Sequence, residues 1–223
     1  AKIIRFCPVT AVEWLGDEWK ITTPNGEIRA EYVVNAAGYR AGELGKMFGR
    51  DVPCVSLAHQ YLITEPIAEL TARDEKLPLL RDPDSSYYLR QEKDGLLLGP
   101  YEKNCRAHWL SSDDPMPDDF SFQLYNDDLE RLEWYIEDAC ARVPILGTAG
   151  ITRVVNGPIP YTPDGLPLIG PMPSVPNAFE ACVFTFGIVQ AGGAGKLLAE
   201  IILEGEPGSD SWAGDAGRFT DHG

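Results

Sequence analysis

Near the C-terminal end the chain makes an abrupt change of pattern. An apolar run of the buried-strand type (ACVFTF, residues 181–186) meets a glycine-rich stretch (GIVQAGGAG, residues 187–195), and KLLAEIIL (196–203) follows with the spacing of a helix. Few architectures accept a buried strand, a glycine-rich turn and a helix in direct succession. An α/β layer fold does, with the glycines allowing a ligand or a neighbouring backbone to approach the helix N-terminus. That terminus carries unpaired N–H groups and a partial positive charge of roughly half an elementary charge. The spacing is neither of the usual phosphate cradles. Gly195-Lys196 is followed by Leu197, and the segment contains no G-x-G-x-x-G. A carbonyl edge that gains negative charge suits it better than a phosphate. The plainer structural reading is a tight crossover that needs small residues.

Upstream, residues 1–37 read as short strands, with a hairpin at Asn25-Gly26 and a buried-type run at YVVNAA (32–37), ended by Gly38 and a short helix over 41–48. Residues 51–104 read as a second sheet. Its strands are HQYLIT (59–64), SYYLRQ (86–91) and LLLGPY (96–101), the last two joined by a hairpin at Asp94-Gly95. An acidic, proline-containing loop spans 113–119. A helix follows, with Asp127 and Glu130 as a capping box, Leu129, Leu132, Ile136, Ala139 and Val143 as its apolar stripe, and Pro144 as its stop. Residues 157–170 (GPIPYTPDGLPLIG) hold too much proline and glycine for a central strand. The expected fold class is therefore α/β with α+β character: residues 1–50 and 145–208 form one part, 51–144 an interleaved antiparallel sheet with a helix, and 209–223 a tail or linker.

The formal net charge of −15 disfavours nucleic-acid and membrane-surface partners. Five scattered cysteines without a C-x-x-C or a Cys/His cluster give neither a disulfide framework nor a zinc site. Reduced thiols fit a cytoplasmic protein, or a mitochondrial matrix protein in a eukaryote. The opening residues, Ala1 to Phe6, are already strand-like and follow no start methionine, so we expect the chain to begin inside a fold.

GPIPYTPDGLPLIG resembles the G-L-R-P-x-T-P-D-G-x-P-x-I-G segment of the glycine oxidase/D-amino acid oxidase superfamily, and the strand and glycine turn follow it in the same order. YVVNAAG (32–38) is similar to the family's strand that ends near the cofactor. HQYLITEP (59–66) and DPDSSYYLRQ (82–91) resemble the dimethylglycine and sarcosine dehydrogenase branch. The resemblance covers residues 1–220. It implies a partial FAD-binding domain interleaved with a substrate domain, and oxidation of an N-methylated amine with transfer of hydrogen to FAD. It assigns FAD contacts to Ala37, Gly38, Gly157, Pro158, Gly187, Ile188, Val189 and Gln190, and active-site roles to His59 and Tyr87. It also implies an N-terminal FAD-binding segment, supplied by the full-length chain or by a partner chain, and a folate-binding domain.

By residue type alone His59 and Tyr87 are ordinary strand residues. Alternation puts Tyr87, Leu89 and Gln91 on one face and Tyr88 and Arg90 on the other, so if Tyr87 faces the flavin, Arg90 does not. Two departures from the family pattern stand out. The N-terminal G-x-G-x-x-G is not in this sequence, and Ile159 occupies the arginine position of G-L-R-P. An aliphatic side chain cannot replace a bidentate arginine–carboxylate contact, so Ile159 disfavours glycine and D-amino acid oxidase activity. The remaining alternative is a non-catalytic domain or subunit that needs a partner.

Overall fold

In the computed structural model, residues 1–219 except 112 are described; residues 220–223, with His222, lie outside the described residues. The chain forms two compact units, Ala1–Val55 with Pro160–Gly223, and Ser56–Ile159.

The first unit opens with an antiparallel sheet of β1 (Ala11–Trp14), β2 (Trp19–Thr23) and β3 (Gly26–Ala30). Thr23 pairs with Gly26, which leaves Pro24-Asn25 as a two-residue turn, and Gly26 has φ of +122°. Trp19 is buried against Trp14 and Phe48, at ring centroid distances of 5.3 and 5.1 Å. Next comes β4 (Val33–Asn35). Asn35 is fully buried, and its amide explains the turn that follows. Its Nδ2 donates to the Ala41 carbonyl at 3.0 Å, and its Oδ1 accepts from the Ala37 N–H at 3.2 Å. Gly38, at φ +59°, completes the turn into α1 (Ala41–Met47).

The second unit is built on a six-stranded sheet. Its strands are β5 (Val55–Thr64), β6 (Leu80–Asp82), β7 (Tyr87–Glu92), β8 (Gly95–Pro100), β9 (Ala107–His108) and β10 (Ile151–Tyr161), in the order β10-β5-β8-β7-β6 with β9 also on β5. The β5–β8, β7–β8, β6–β7 and β5–β9 pairs are antiparallel. Two helices belong to this unit, α2 (Ala68–Thr71) and α3 (Glu133–Arg142). Leu62, Leu89 and Leu98 from the sheet pack with Leu132 and Ala139 in one core. Fully burying each of these leucines contributes about 1.5–3 kcal/mol.

The chain then returns to the first unit through β11 (Leu168–Pro171), β12 (Ala178–Cys182) and α4 (Gly187–Glu204). β12 is antiparallel to β11 and parallel to β4. Alternation on these strands makes layers. Ile169, Phe179 and Ala181 pack with Ala194 and Leu198 of α4, whereas Leu168 and Cys182 pack with Ala41 and Ala216.

Several sequence expectations change. Residues 187–195 are not a turn before the helix; they are its first half, and α4 runs 18 residues. A helical glycine costs about 1 kcal/mol relative to alanine, and packing of Ala194 and Leu198 on the sheet outweighs it. The strand before it is 178–182 and ends at Val183, which has φ of +57°. The capping box does not form: residues 129–132 are a 3-10 turn, and the Asp128 carboxylate takes the Arg131 Nε instead. Residues 145–159 lie in the second unit, because β10 pairs with β5. Pro158 and Pro160 are tolerated because β10 is an edge strand. The expected tail is packed as far as residue 219. It forms two 3-10 turns, buries Ala216, and holds Asp164 through Arg218 at 2.8 Å.

Glu180 on β12 is fully buried and pairs with Arg50 at 3.1 Å, while Arg50 also donates to the Ala216 carbonyl at 3.0 Å. Burial pushes the Glu180 carboxyl up, and Arg50 pulls it back down. Arg50→Ala strands this charge and should lower the unfolding free energy by about 3–5 kcal/mol at pH 7. A carboxyl raised in the folded state loses stability as pH rises above its unfolded value, about 4.3. The penalty should therefore shrink as pH falls toward that value. Urea unfolding followed by tryptophan fluorescence at both pH values checks this; a penalty independent of pH contradicts it.

Candidate active site

β5 alternates without a break. Ser56, Ala58, Gln60, Leu62 and Thr64 are buried, while Leu57, His59, Tyr61 and Ile63 point to the other face and are half-buried. His59 therefore stands on the face away from the α3 core. Its Nδ1 lies 2.7 Å from Oε2 of Glu102, just past the end of β8, and the two side chains are 9% and 2% exposed.

Tyr88 shares that face. It pairs with Gly99 of β8, and its ring lies so flat on the sheet that a Cβ at Gly99 would overlap it. Tyr101 is 5.8 Å from Tyr88 between ring centroids, and Arg81 stands 5.2 Å over the Tyr101 ring. Burial first, then the neighbouring Tyr101, raises the Tyr88 hydroxyl pKa, so the phenol stays neutral and keeps its hydrogen-bond donor.

Tyr87 is placed differently from what the family resemblance implies. It is 1% exposed and packs in the core with Leu62, Leu89, Leu98 and Leu132. Its hydroxyl is buried without a hydrogen bond of normal geometry; burial followed by the Asp82 and Asp138 carboxylates raises its pKa, and the nearby Arg142 partly offsets them. The expected grouping of Tyr87 with His59 does not occur. Tyr88, its neighbour, stands on the face of His59.

In the first unit, Ala37 and Gly38 follow the carboxyl end of the parallel strand β4, the position where open α/β sheets take ligands. Gly187, Ile188, Val189 and Gln190 form the first turn of α4, whose N-cap has no side-chain hydrogen bond. Ile188 and Val189 are 99% and 81% exposed, and Gln190 keeps a buried Oε1 without a partner. The Gln190 N–H is taken by the Phe186 carbonyl at 3.2 Å; the helix N-terminus ahead of it, two bare apolar side chains and an unused amide oxygen fit the polar edge and flat rings of a flavin. Gly157 and Pro158 are elsewhere, on β10 within the second unit, together with Ile159. Among the described residues no group of three or more His, Cys, Asp or Glu could hold a metal ion.

Glu102, Arg131 and Tyr88 escaped the sequence reading. Tyr88 was accessible through its pairing with a glycine in the facing strand. A single buried glutamate after a strand carries no pattern at all.

Residues 1–201 match the DAO family, FAD dependent oxidoreductase, and the chain belongs to that family. It is 45% identical to dimethylglycine dehydrogenase, mitochondrial, of Rattus norvegicus over 217 residues, which is 95% of this chain and 25% of that protein. It is 37% identical to sarcosine dehydrogenase, mitochondrial, of Homo sapiens over 233 residues, 100% of this chain and 24% of that protein. The chain thus spans about a quarter of the length of these curated relatives. Its fold is that of L-proline dehydrogenase from P. horikoshii, with a TM-score of 0.79 at 24% identity, covering 98% of this chain and 55% of that one.

The contact of Tyr88 with Gly99 gives a direct test of the face. Gly99→Ala should cost about 1–3 kcal/mol by overpacking, and Tyr88→Ala in the same protein should recover most of it. Unfolding of the single and double variants measures the coupling. Additive losses would place the Tyr88 ring elsewhere.

Proposed function

We propose that this chain carries the substrate-binding sheet and part of the cofactor site of an FAD-dependent enzyme that oxidises an N-methylated amino acid of the dimethylglycine or sarcosine kind. The observation that carries the reading is His59, held by a buried carboxylate on the same sheet face as Tyr88. The 45% identity to a dimethylglycine dehydrogenase supports the choice of substrate class. Ile159, where the resemblance would place arginine in glycine oxidases, supports it independently.

FAD, when bound, would take up a hydride equivalent, one proton and two electrons, from the substrate C–H bond. His59 accepts a proton or a hydrogen bond from the amine. The rings of Tyr88 and Tyr61 attract a methylated ammonium through their faces, an effect of roughly 0.5–2 kcal/mol, and the neutral Tyr88 hydroxyl donates a hydrogen bond that orients the substrate carboxylate. The backbone donors of residues 187–189 stabilise negative charge at the cofactor edge. An N-terminal FAD-binding segment, in the same polypeptide or in a partner, and a folate-binding domain complete the proposed protein. By itself, this chain should bind FAD weakly. No helix among the described residues is long and apolar enough to cross a membrane. The mitochondrial names of the relatives favour the matrix for a eukaryotic source, and the cytoplasm remains the assignment for a bacterial one. A second reading, a non-catalytic domain or subunit that needs a partner chain, would apply if the full-length protein held no flavin.

In the full-length enzyme His59→Ala and Tyr88→Phe should slow anaerobic flavin reduction by dimethylglycine ~10²-fold with the flavin spectrum intact. Tyr87→Phe, which removes an unpaired buried hydroxyl, should leave the rate within about twofold and stability within about 1 kcal/mol. If Tyr87→Phe is slow and Tyr88→Phe is normal, the assignment of faces is wrong.

Substrate choice follows from Ile159. Dimethylglycine or sarcosine should exceed glycine and D-alanine by at least about tenfold in kcat/KM, or ~1.4 kcal/mol. Equal turnover of glycine or D-alanine across that panel would sink the substrate class.

A further inference from the structure

Glu102 is a charged side chain with almost no access to water, and every group around it constrains it. Its Oε2 meets His59 Nδ1 at 2.7 Å. Its Oε1 accepts from Gln60 Nε2 at 3.4 Å and has Arg131 Nη1 at 4.0 Å. Gln60 is locked in turn, since its Nε2 donates to the Asp128 carbonyl at 3.0 Å and its Oε1 accepts from the Asp128 N–H at 2.8 Å. The Asp128 carboxylate takes Arg131 Nε at 2.9 Å. Arg131 Nη1 makes no hydrogen bond, so it balances the buried charge without competing for Oε2.

An ionised carboxylate only accepts hydrogen bonds. In the tautomer that pairs with an ionised Glu102, the shared proton sits on His59 Nδ1 and the ring lone pair on Nε2. We propose that Glu102 is a positioning residue that fixes His59 in the tautomer able to accept a proton from the substrate ammonium. The inference rests on the proposed function. In this step the ammonium N–H bond breaks and its electron pair stays on the amine nitrogen. The proton forms a new bond to Nε2, and the positive charge on the ring faces the Glu102 carboxylate. The amine is left neutral, with the lone pair that loss of hydrogen from its carbon requires.

Glu102→Gln keeps the shape of the side chain and removes its charge. In the full-length flavoenzyme, with N,N-dimethylglycine as the probe, it should lower the limiting rate of anaerobic flavin reduction ~10²-fold while the substrate Kd stays within about threefold. In a His59→Ala background the same change should cost less than about twofold, because its target is gone. A purely structural role would instead move Kd, or would multiply the two losses. Glu102→Gln reducing within about threefold of wild type, or losses that multiply, overturns the proposal. If His59→Ala itself reduces at the wild-type rate, the proposed function fails first. Solid-state nitrogen NMR of the histidine-labelled wild-type holoenzyme, with His59→Ala as the blank, needs no folded Glu102 variant. It should report the proton of His59 on Nδ1, and a proton on Nε2 alone would refute the assignment.

Discussion

Glu180 in the first unit and Glu102 in the second are buried carboxylates, and each is held by a partner that arrives from far along the chain. A buried unpaired charge costs several kcal/mol, so the surrounding backbone must deliver donors to it. At Glu180 this requirement brings Arg50 to β12 and ties the packed turn at Ala216 to the same arginine. At Glu102 it fixes His59, Gln60 and Arg131, and through Asp128 it sets the entry to α3. The first arrangement is structural. The second holds the histidine that we propose meets the amine.

The two-residue period of a strand decides which side chains can take part in that chemistry. On β5 and β7 it sends Leu62 and Tyr87 into the core below and leaves His59, Tyr61 and Tyr88 on the face above. Alternation was readable from the sequence, and it correctly separated Tyr87 from Tyr88. It could not say which face was the core, because both faces of the strand offer a tyrosine. The pairing of Tyr88 with Gly99, known only once the register is fixed, resolves the choice.

Much of the fold was legible for similar local reasons. Asn25-Gly26 and Asp94-Gly95 marked both hairpins, and the apolar spacing of Leu132, Ile136 and Ala139 marked α3. Glycine misled at residues 187–195, where intrinsic propensity favours a turn and packing on the sheet imposes a helix. Asp127 and Glu130 had the spacing of a cap, yet Arg131 claimed the neighbouring carboxylate. Long-range pairs such as Arg50 with Glu180 and His59 with Glu102 leave no trace in local spacing, since their separation in sequence carries no period.

The central claim is that the His59 and Tyr88 face receives the amine. Its most direct test is a crystal structure of the full-length enzyme, chemically reduced before soaking so that bound N,N-dimethylglycine cannot be oxidised. The account predicts the amine nitrogen within hydrogen-bonding reach of His59 Nε2 and its methyl groups against the Tyr88 ring. A substrate bound with clear density and out of contact with both residues would contradict it.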